Sequence, residues 1–363
     1  MRRVHESFMR ECLRLAARGR GRVSPNPMVG AVLVRDGRII ARGWHQQFGE
    51  AHAEVHCLRR ARGDLQRATL YVNLEPCSHT GKTPPCADLI VASGVGHVVV
   101  AMRDPNPRVA GRGLHRLRRG GVRVTVGVLE REARQLNRMF LHHITRRRPY
   151  VHLKVAQSLD GMIASANARG RWISSSESRR QVHLLRGQYD AILVGAGTVR
   201  DDNPRLTVRH GPRAEPAVVV LSGRGRVPET ARVFRGNRRV ILVTQEGRRD
   251  GTGLRRLESR GVTILRMPGR DGRVSLKAVL RQLYLLNIGS VFVEGGADVF
   301  GQFLRGDLVN EITLFLAPVA LGRGVSAFGT WTGTAAQVHW ISRRGEVSRS
   351  GSDFVLHAQR DEV

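Results

Sequence analysis

His52-Ala53-Glu54, followed by Glu75-Pro76-Cys77-Ser78-His79-Thr80-Gly81-Lys82-Thr83-Pro84-Pro85-Cys86, decides how the first part of the chain is read. One imidazole and two thiols make a three-donor set for Zn²⁺. Three donors leave a fourth coordination position open, which marks a catalytic rather than a structural site. Glu54 stands two residues after His52, too close to ligate comfortably beside it. It is placed to carry protons to and from a water held by the ion.

The surrounding chain supports that set. Residues 52–61 read as a helix with His52 and Glu54 in its first turn, and Cys86 opens a second helix over 87–92. Cys77 lies in the loop that feeds the second helix. A helix N-terminus favours thiolate over thiol. His-x-Glu followed by Pro-Cys…Cys is the signature of zinc nucleobase deaminases, in which two residues normally separate the cysteines. Here eight intervene, and the insert reads as a loop over the site that brings His79 and Lys82 to a substrate. Cys12, on the apolar face of an amphipathic helix over 5–18, and Cys57, in an apolar setting, read as core residues.

Further out, Ser24-Pro25-Asn26-Pro27 is a turn, and 29–34 and 39–43 are strands joined at Asp36-Gly37. Strands over 69–74, 97–101 and 122–126 alternate with helices over 111–119 and 130–145. This alternation predicts an α/β sandwich around a mostly parallel sheet. The run Arg146-Arg147-Arg148-Pro149 cannot continue a helix. It separates a domain over 1–146 from one over 149–363. The second domain again alternates apolar strands with helices near 176–187, 253–260, 275–286 and 297–305. Its tail, from about residue 337, reads as two antiparallel strands.

With 363 residues, 41% of them apolar, the chain can bury two cores. A net charge of +30 usually raises nucleic acid as a partner. Only Lys82, Lys154 and Lys277 are lysines, however, and the arginines are spread evenly, without a basic tail or interleaved aromatics. Arginine-rich codon usage and a field that draws phosphorylated substrates both account for the charge. Four cysteines are too few for a disulfide scaffold. No signal peptide and no run near 18 apolar residues is present. A cytoplasmic protein without membrane or nucleic-acid partners is expected.

In the second half, Gly195-Ala196-Gly197-Thr198 and Glu294-Gly295-Gly296-Ala297 each follow a buried strand. Glycines and helix N-termini suit phosphate, although tight strand–helix turns explain them equally well. Lys154 lies inside an apolar strand, where an unpaired charge is costly.

The chain resembles the bifunctional pyrimidine deaminase–reductase family of riboflavin biosynthesis over nearly its whole length. Carrying the resemblance are Asn26-Pro27, His52-Ala53-Glu54-Val55-His56, Leu74 to His79, Thr83 to Cys86, Asp104-Pro105-Asn106-Pro107 and Gly111-Arg112-Gly113. In the second half Leu153-Lys154, Ser158-Leu159-Asp160-Gly161, Trp172-Ile173, Leu184-Leu185-Arg186, Thr198, Asp202 to Arg209 and Val293 to Gly296 match. The eight-residue cysteine gap is itself a mark of this family.

The resemblance implies a cytidine-deaminase-like α/β/α sandwich followed by a dihydrofolate-reductase-like α/β domain. It implies two consecutive reactions. The first is zinc-dependent hydrolytic deamination of 2,5-diamino-6-(5-phosphoribosylamino)pyrimidin-4-one. The second is NADPH-dependent reduction of the ribosyl group to ribityl. One Zn²⁺ would sit on His52, Cys77 and Cys86, with Glu54 moving the proton and Asn26, His45, His79 and Lys82 holding the substrate. NADPH would meet Gln157, Trp172, Thr198, Asp202 and the turn from Gly296. The reductase substrate would meet Lys154, Gly170, Arg186, Leu206, Arg209 and Glu294, the arginines gripping its phosphate. A homo-oligomer is expected. Gly170, Ser222 and Asn310 depart from the family's Ser, Asp and Asp. Two rival readings are a deaminase of RNA or free nucleosides, favoured by the charge, and a chain with only one active half.

Overall fold

The computed structural model describes residues 2–78, 84–106, 110–165, 172–210, 215–247, 251–329 and 347–360. They fall into two compact units, Met1–Arg147 and Arg148–Val363.

The first unit runs α1 (Arg2–Ala16), β1 (Gly30–Arg35), β2 (Arg38–Trp44), α2 (Ala53–Leu58), β3 (Thr69–Leu74), α3 (Cys86–Ala92), β4 (His97–Met102), α4 (Arg112–Arg119), β5 (Arg123–Val126), α5 (Glu130–Leu136) and α6 (Arg138–Arg146). Its sheet has the order β2-β1-β3-β4-β5. The expected mostly parallel sheet is instead evenly mixed. β1 is antiparallel to both β2 and β3, whereas β3, β4 and β5 are parallel. Asp36 and Gly37, both at positive φ, fold β1 back on β2 in a two-residue hairpin.

Helices cover both faces of this sheet. Cys57, Ile90, Leu114 and Leu117 pack on Leu33, Leu70 and Val98. On the other face Met9, Cys12, Leu15 and Ala133 pack on Val32, Tyr71 and Val99. Cys12 and Cys57 are fully buried and serve as core residues. A Cβ on Gly43 would stand 2.3 Å from the Ala53 carbonyl oxygen and 2.5 Å from the Cys57 nitrogen. Only glycine lets α2 lie this close to β2. The helix expected over 130–145 breaks at Asn137. That side chain accepts from Met28 N–H at 2.8 Å and donates to Met28 C=O at 2.9 Å.

The second unit runs β6 (Tyr150–Gln157), β7 (Met162–Ser165), α7 (Ser176–Arg186), β8 (Ala191–Gly195), α8 (Ala196–Asp202), β9 (Ala217–Leu221), β10 (Val240–Gln245), α9 (Thr252–Ser259) and β11 (Thr263–Met267). Then come β12 (Gly269–Arg270), β13 (Arg273–Val274), α10 (Leu276–Leu285), β14 (Ser290–Gly295), α11 (Ala297–Arg305), β15 (Glu311–Leu316), β16 (Gly324–Ser326), β17 (Ser348–Ser350) and β18 (Asp353–Gln359). The nine-stranded sheet has the order β11-β10-β9-β8-β14-β6-β15-β18-β17. It is parallel from β11 to β15, and β18 and β17 close that edge antiparallel. β17 and β18 are paired antiparallel, as the tail is expected to be, and the part of that expectation over 337–346 lies outside the described residues.

β14 returns to the middle of the sheet, between β8 and β6. The C-terminal ends of β8 and β14 therefore lie side by side, and each runs straight into a helix. Ligands of open α/β sheets bind at such strand ends. Phe300 and Phe303 cover one face with Leu193 and Val293, while Val218, Leu242 and Phe234 form the core of the other. Among the described residues no helix is long and apolar enough to cross a membrane.

Candidate active sites

Three short elements bring together the three donors expected for zinc in the first unit. His52 is the N-cap of α2, Cys86 is the first residue of α3 and Cys77 lies in the loop after β3. His52 Nδ1 is 3.2 Å from Cys86 Sγ and 3.6 Å from Cys77 Sγ, and the three donor atoms lie within 4.8 Å of one another. Bonds of about 2.0 Å to nitrogen and 2.3 Å to sulfur make a tetrahedral N–S edge of roughly 3.6 Å, so the set fits zinc. The Cys77 sulfur accepts hydrogen bonds from the Cys86 thiol and His52, and from the Cys86 N–H at 3.2 Å. These outweigh its burial and hold its pKa well below the usual thiol value. Cys86 shifts the opposite way, because its S–H donates a hydrogen bond to the Cys77 sulfur and it is buried.

Glu54 lies beneath these donors, 3% exposed. Its Oε2 is buried and has no hydrogen-bond partner among the described residues. Burial raises its carboxyl pKa, against the pull of His52. A buried carboxylate oxygen left open beside a three-donor corner is what a proton carrier to a bound water requires.

Asn26 and His45 stand beside His52. Asn26 Nδ2 lies 3.3 Å from His45 Nε2, and the His45 and His52 rings meet edge to face with centroids 5.5 Å apart. His45 Nδ1 is 3.2 Å from the Ala51 carbonyl, so Nδ1 carries the proton and Nε2 accepts from Asn26. Burial lowers the His45 pKa and keeps the ring neutral. His79 and Lys82 lie outside the described residues.

Glu75, part of the motif but without a role in the sequence reading, is a central tie. Its carboxylate accepts from the backbone N–H groups of Asp104, Gly111, Gly113 and Leu114, at 3.2, 3.0, 2.9 and 3.3 Å. It thereby caps α4 and secures the Asp104 loop. A Cβ on Gly113 would lie 2.0 Å from the Pro76 carbonyl oxygen. Asn73 likewise holds the Asn26 turn, accepting from Gly30 N–H at 2.8 Å and donating to Met28 C=O at 3.0 Å.

In the second unit Lys154 of β6, Glu294 of β14, Arg186 of α7 and Asp202 of α8 interact as one charged group. Arg186 donates from Nε to Glu294 Oε1, from Nη2 to Oε2 at 2.8 Å, and from Nη1 to the Thr207 carbonyl at 3.1 Å. The bidentate grip expected for a phosphate is thus directed at Glu294. Burial tends to raise the Glu294 pKa, but Arg186 and Lys154 prevail and hold it below the usual value. Burial lowers Lys154 and raises Asp202. Arg209 is exposed, and its guanidinium has no hydrogen bond or ion pair among the described residues. Leu206 is buried at φ 54°, a strained conformation of the kind found at binding sites.

At the paired strand ends, a Cβ on Gly296 would stand 3.2 Å from Thr198 Oγ1, and one on Gly195 would stand 2.8 Å from a Val299 methyl. The turn is therefore a close-walled cradle. Gln157, at the end of β6, has a buried Oε1 without a partner among the described residues. Trp172 is 75% exposed, with the Arg179 guanidinium 5.1 Å above its ring. Gly170 lies outside the described residues. Ser222 Oγ closes its own turn on the Arg226 carbonyl at 3.3 Å, and Asn310 Oδ1 accepts from Val151 N–H at 2.9 Å.

Comparison with known proteins follows the same division. Residues 2–102 match the cytidine and deoxycytidylate deaminase zinc-binding region, and residues 149–347 match the RibD C-terminal domain. The riboflavin biosynthesis protein RibD of Aquifex aeolicus is 39% identical over 361 residues, covering 99% of each chain. That of Escherichia coli is 41% identical over 367 residues, covering 97% of this chain and 98% of its own. Among solved structures, a diaminohydroxyphosphoribosylaminopyrimidine deaminase/5-amino-6-(5-phosphoribosylamino)uracil reductase of Thermotoga maritima superposes with TM-score 0.86 at 39% identity, covering 99% of each chain. Acinetobacter baumannii RibD superposes with TM-score 0.90 at 35% identity, again covering 99% of each chain.

Proposed function

The chain belongs to the RibD family of riboflavin-biosynthesis enzymes, and from that premise we propose how its residues divide the two reactions. The protein deaminates a diaminopyrimidine ribotide by hydrolysis and reduces the ribosyl group of the product to ribityl.

For the deamination, His52, Cys77 and Cys86 would hold one Zn²⁺, which when bound brings the pKa of a water toward 7. Glu54 takes the proton of the attacking water at Oε2 and returns it to the departing ammonia. Neutral His45 and Asn26 orient the pyrimidine, and His79 and Lys82 are further substrate contacts.

For the reduction, NADPH supplies the hydride. The cradle of Gly296, Thr198 and the α8 and α11 N-termini would hold its phosphates. Gln157, Asp202 and Trp172 complete the cofactor contacts. Lys154 holds a proton at Nζ toward the ribosyl oxygen as the ring opens. Arg209 takes the phosphate, while Leu206 and the position of Gly170 bound the substrate. Arg186 keeps Glu294 ionised and aimed at it. Free thiols at Cys12, Cys57, Cys77 and Cys86 suit a reducing cytoplasm. A homo-oligomer belongs to the same proposal and is read by light scattering.

The observation that supports the reading most is the His52–Cys77–Cys86 corner with the buried, open Glu54 oxygen beside it. In the test, purified protein is supplied with the diaminopyrimidine ribotide, and ammonia release and NADPH oxidation are followed separately. Both are expected, ammonia first. Ammonia without NADPH loss would remove the reductase assignment, and neither signal would remove both.

A further inference from the structure

We propose that the reductase unit carries a second metal site, for Zn²⁺ or a cation of its class, formed by His152, Glu311 and His357. These residues sit on β6, β15 and β18, three neighbouring strands, and they share one face of the sheet. Glu311 pairs with His152 across β15 and β6, and Thr313, two residues on, pairs with His357 across β15 and β18.

Glu311 Oε1 lies 3.5 Å from His152 Nδ1 and 3.1 Å from His357 Nε2, and the three donors lie within 4.8 Å of one another. A tetrahedral zinc site with bonds of about 2.0–2.2 Å to nitrogen and oxygen has edges of roughly 3.3 Å. The donors already stand at the corners of such a site.

The contacts behind the donors match as well. His152 Nε2 is 2.8 Å and His357 Nδ1 is 3.0 Å from the same Thr313 hydroxyl, which can accept from both. The far oxygen of Glu311 accepts from the Tyr150 hydroxyl at 2.9 Å. Outer partners of this kind turn the inner nitrogens toward a metal as lone pairs. Those nitrogens and the Glu311 carboxylate then face one another, with the Gln359 side-chain nitrogen 3.5 Å from His357 Nε2. The Tyr189 hydroxyl rests against His152 Nδ1.

Access is open on one side. His152 and Glu311 are 0% and 2% exposed at their side chains, while His357 is 41% exposed and forms the mouth. A cation here would fasten the C-terminal strand β18 to β6, which carries Lys154 two residues beyond His152. The donor set contains no sulfur and belongs to a different unit from His52, Cys77 and Cys86.

The test uses tag-free full-length protein, stripped by a chelator and titrated with Zn²⁺ and with Co²⁺. Two ions per chain are expected. The Cys77→Ser/Cys86→Ser double variant keeps one Co²⁺ without a sulfur-to-metal charge-transfer band. His357→Gln keeps the sulfur-ligated ion and its ammonia release, and loses the other. Thr313→Val, which leaves all three donors in place, weakens the second ion about 10- to 100-fold. A single ion in the wild type would overturn the proposal. So would a second ion unmoved by either His357→Gln or Thr313→Val.

Discussion

Arg186 and Glu294, 108 residues apart in the chain, meet through two parallel N–H···O bonds that join α7 to the end of β14. Both side chains are mostly buried, 13% and 7% exposed. Lysine offers a single point charge and cannot reproduce the fork. Arg186→Lys is therefore expected to abolish most NADPH oxidation while ammonia release is unchanged. Glu294→Ala leaves the guanidinium buried and alone, and is expected to destabilise the second unit by about 3 kcal/mol. Separate reductase and deaminase assays, with a denaturant melt, read both effects.

Glu54→Gln keeps the volume and removes the proton carrier. Zinc content measured by mass spectrometry is expected to stay at the wild-type level, while ammonia release falls about 10²- to 10⁴-fold. An unchanged rate would take Glu54 out of the chemistry.

Loss of the ion at the His52 corner acts on the deamination only. With Zn²⁺ at the His52 corner removed, ammonia release is expected to stop. NADPH oxidation continues when the deaminated ribotide is supplied directly. Readdition of Zn²⁺ restores the first reaction, measured in the same cuvette by coupled ammonia detection.

Glu75→Ala strips an acceptor from four backbone N–H groups at once. Hydrogen bonds to a charged acceptor contribute about 1.5–3 kcal/mol each, and water recovers part of the loss. A net destabilisation of about 3 kcal/mol in the first unit is expected, with Glu75→Gln retaining part of the stability. Chemical denaturation followed by circular dichroism measures the difference.

His97 gives the first unit an acid limb. Burial, then the neighbouring Arg123 and His5, lower its pKa from 6.5 to about 4. Its ring accepts from Arg123 at Nδ1 and reaches Thr125 Oγ1 from Nε2. The folded state prefers the neutral ring, so between these two values the unfolded chain binds more protons. The His97 contribution to stability is thus complete above 6.5 and declines as pH falls toward 4. His97→Gln is expected to flatten melting temperature against pH over that window, read by calorimetry.

The grouping of His52, Cys77 and Cys86 is legible because each donor announces itself locally. His52 and Glu54 share one turn, Cys77 follows Pro76, and Cys86 opens a helix whose N-terminus favours thiolate. Cys12 and Cys57 were legible as core from their apolar settings. What escaped notice depends on partners distant in the chain. Glu75 takes its donors 29 to 39 residues away, and Asn137 interrupts a helix to hold Met28, 109 residues upstream. Residues 130–145 alone look continuously helical, and nothing local shows what Asn137 gains by breaking them. The neighbour of β3 is hidden for a similar reason, since α2 returns the chain in the direction of β2 and nothing local shows that β3 docks on β1 rather than on β2. Arg186 reads from the sequence as a phosphate contact, since nothing near it in the chain points to Glu294, 108 residues on.

Each sheet is built wholly from strands of its own unit, and each unit closes its own apolar core. For heredity this means that the two catalysts can part company at one junction, near Arg147 and Arg148, and be encoded as separate genes. Neither half would need a new interior, and substitutions tolerated in one would be tested by selection largely without reference to the other.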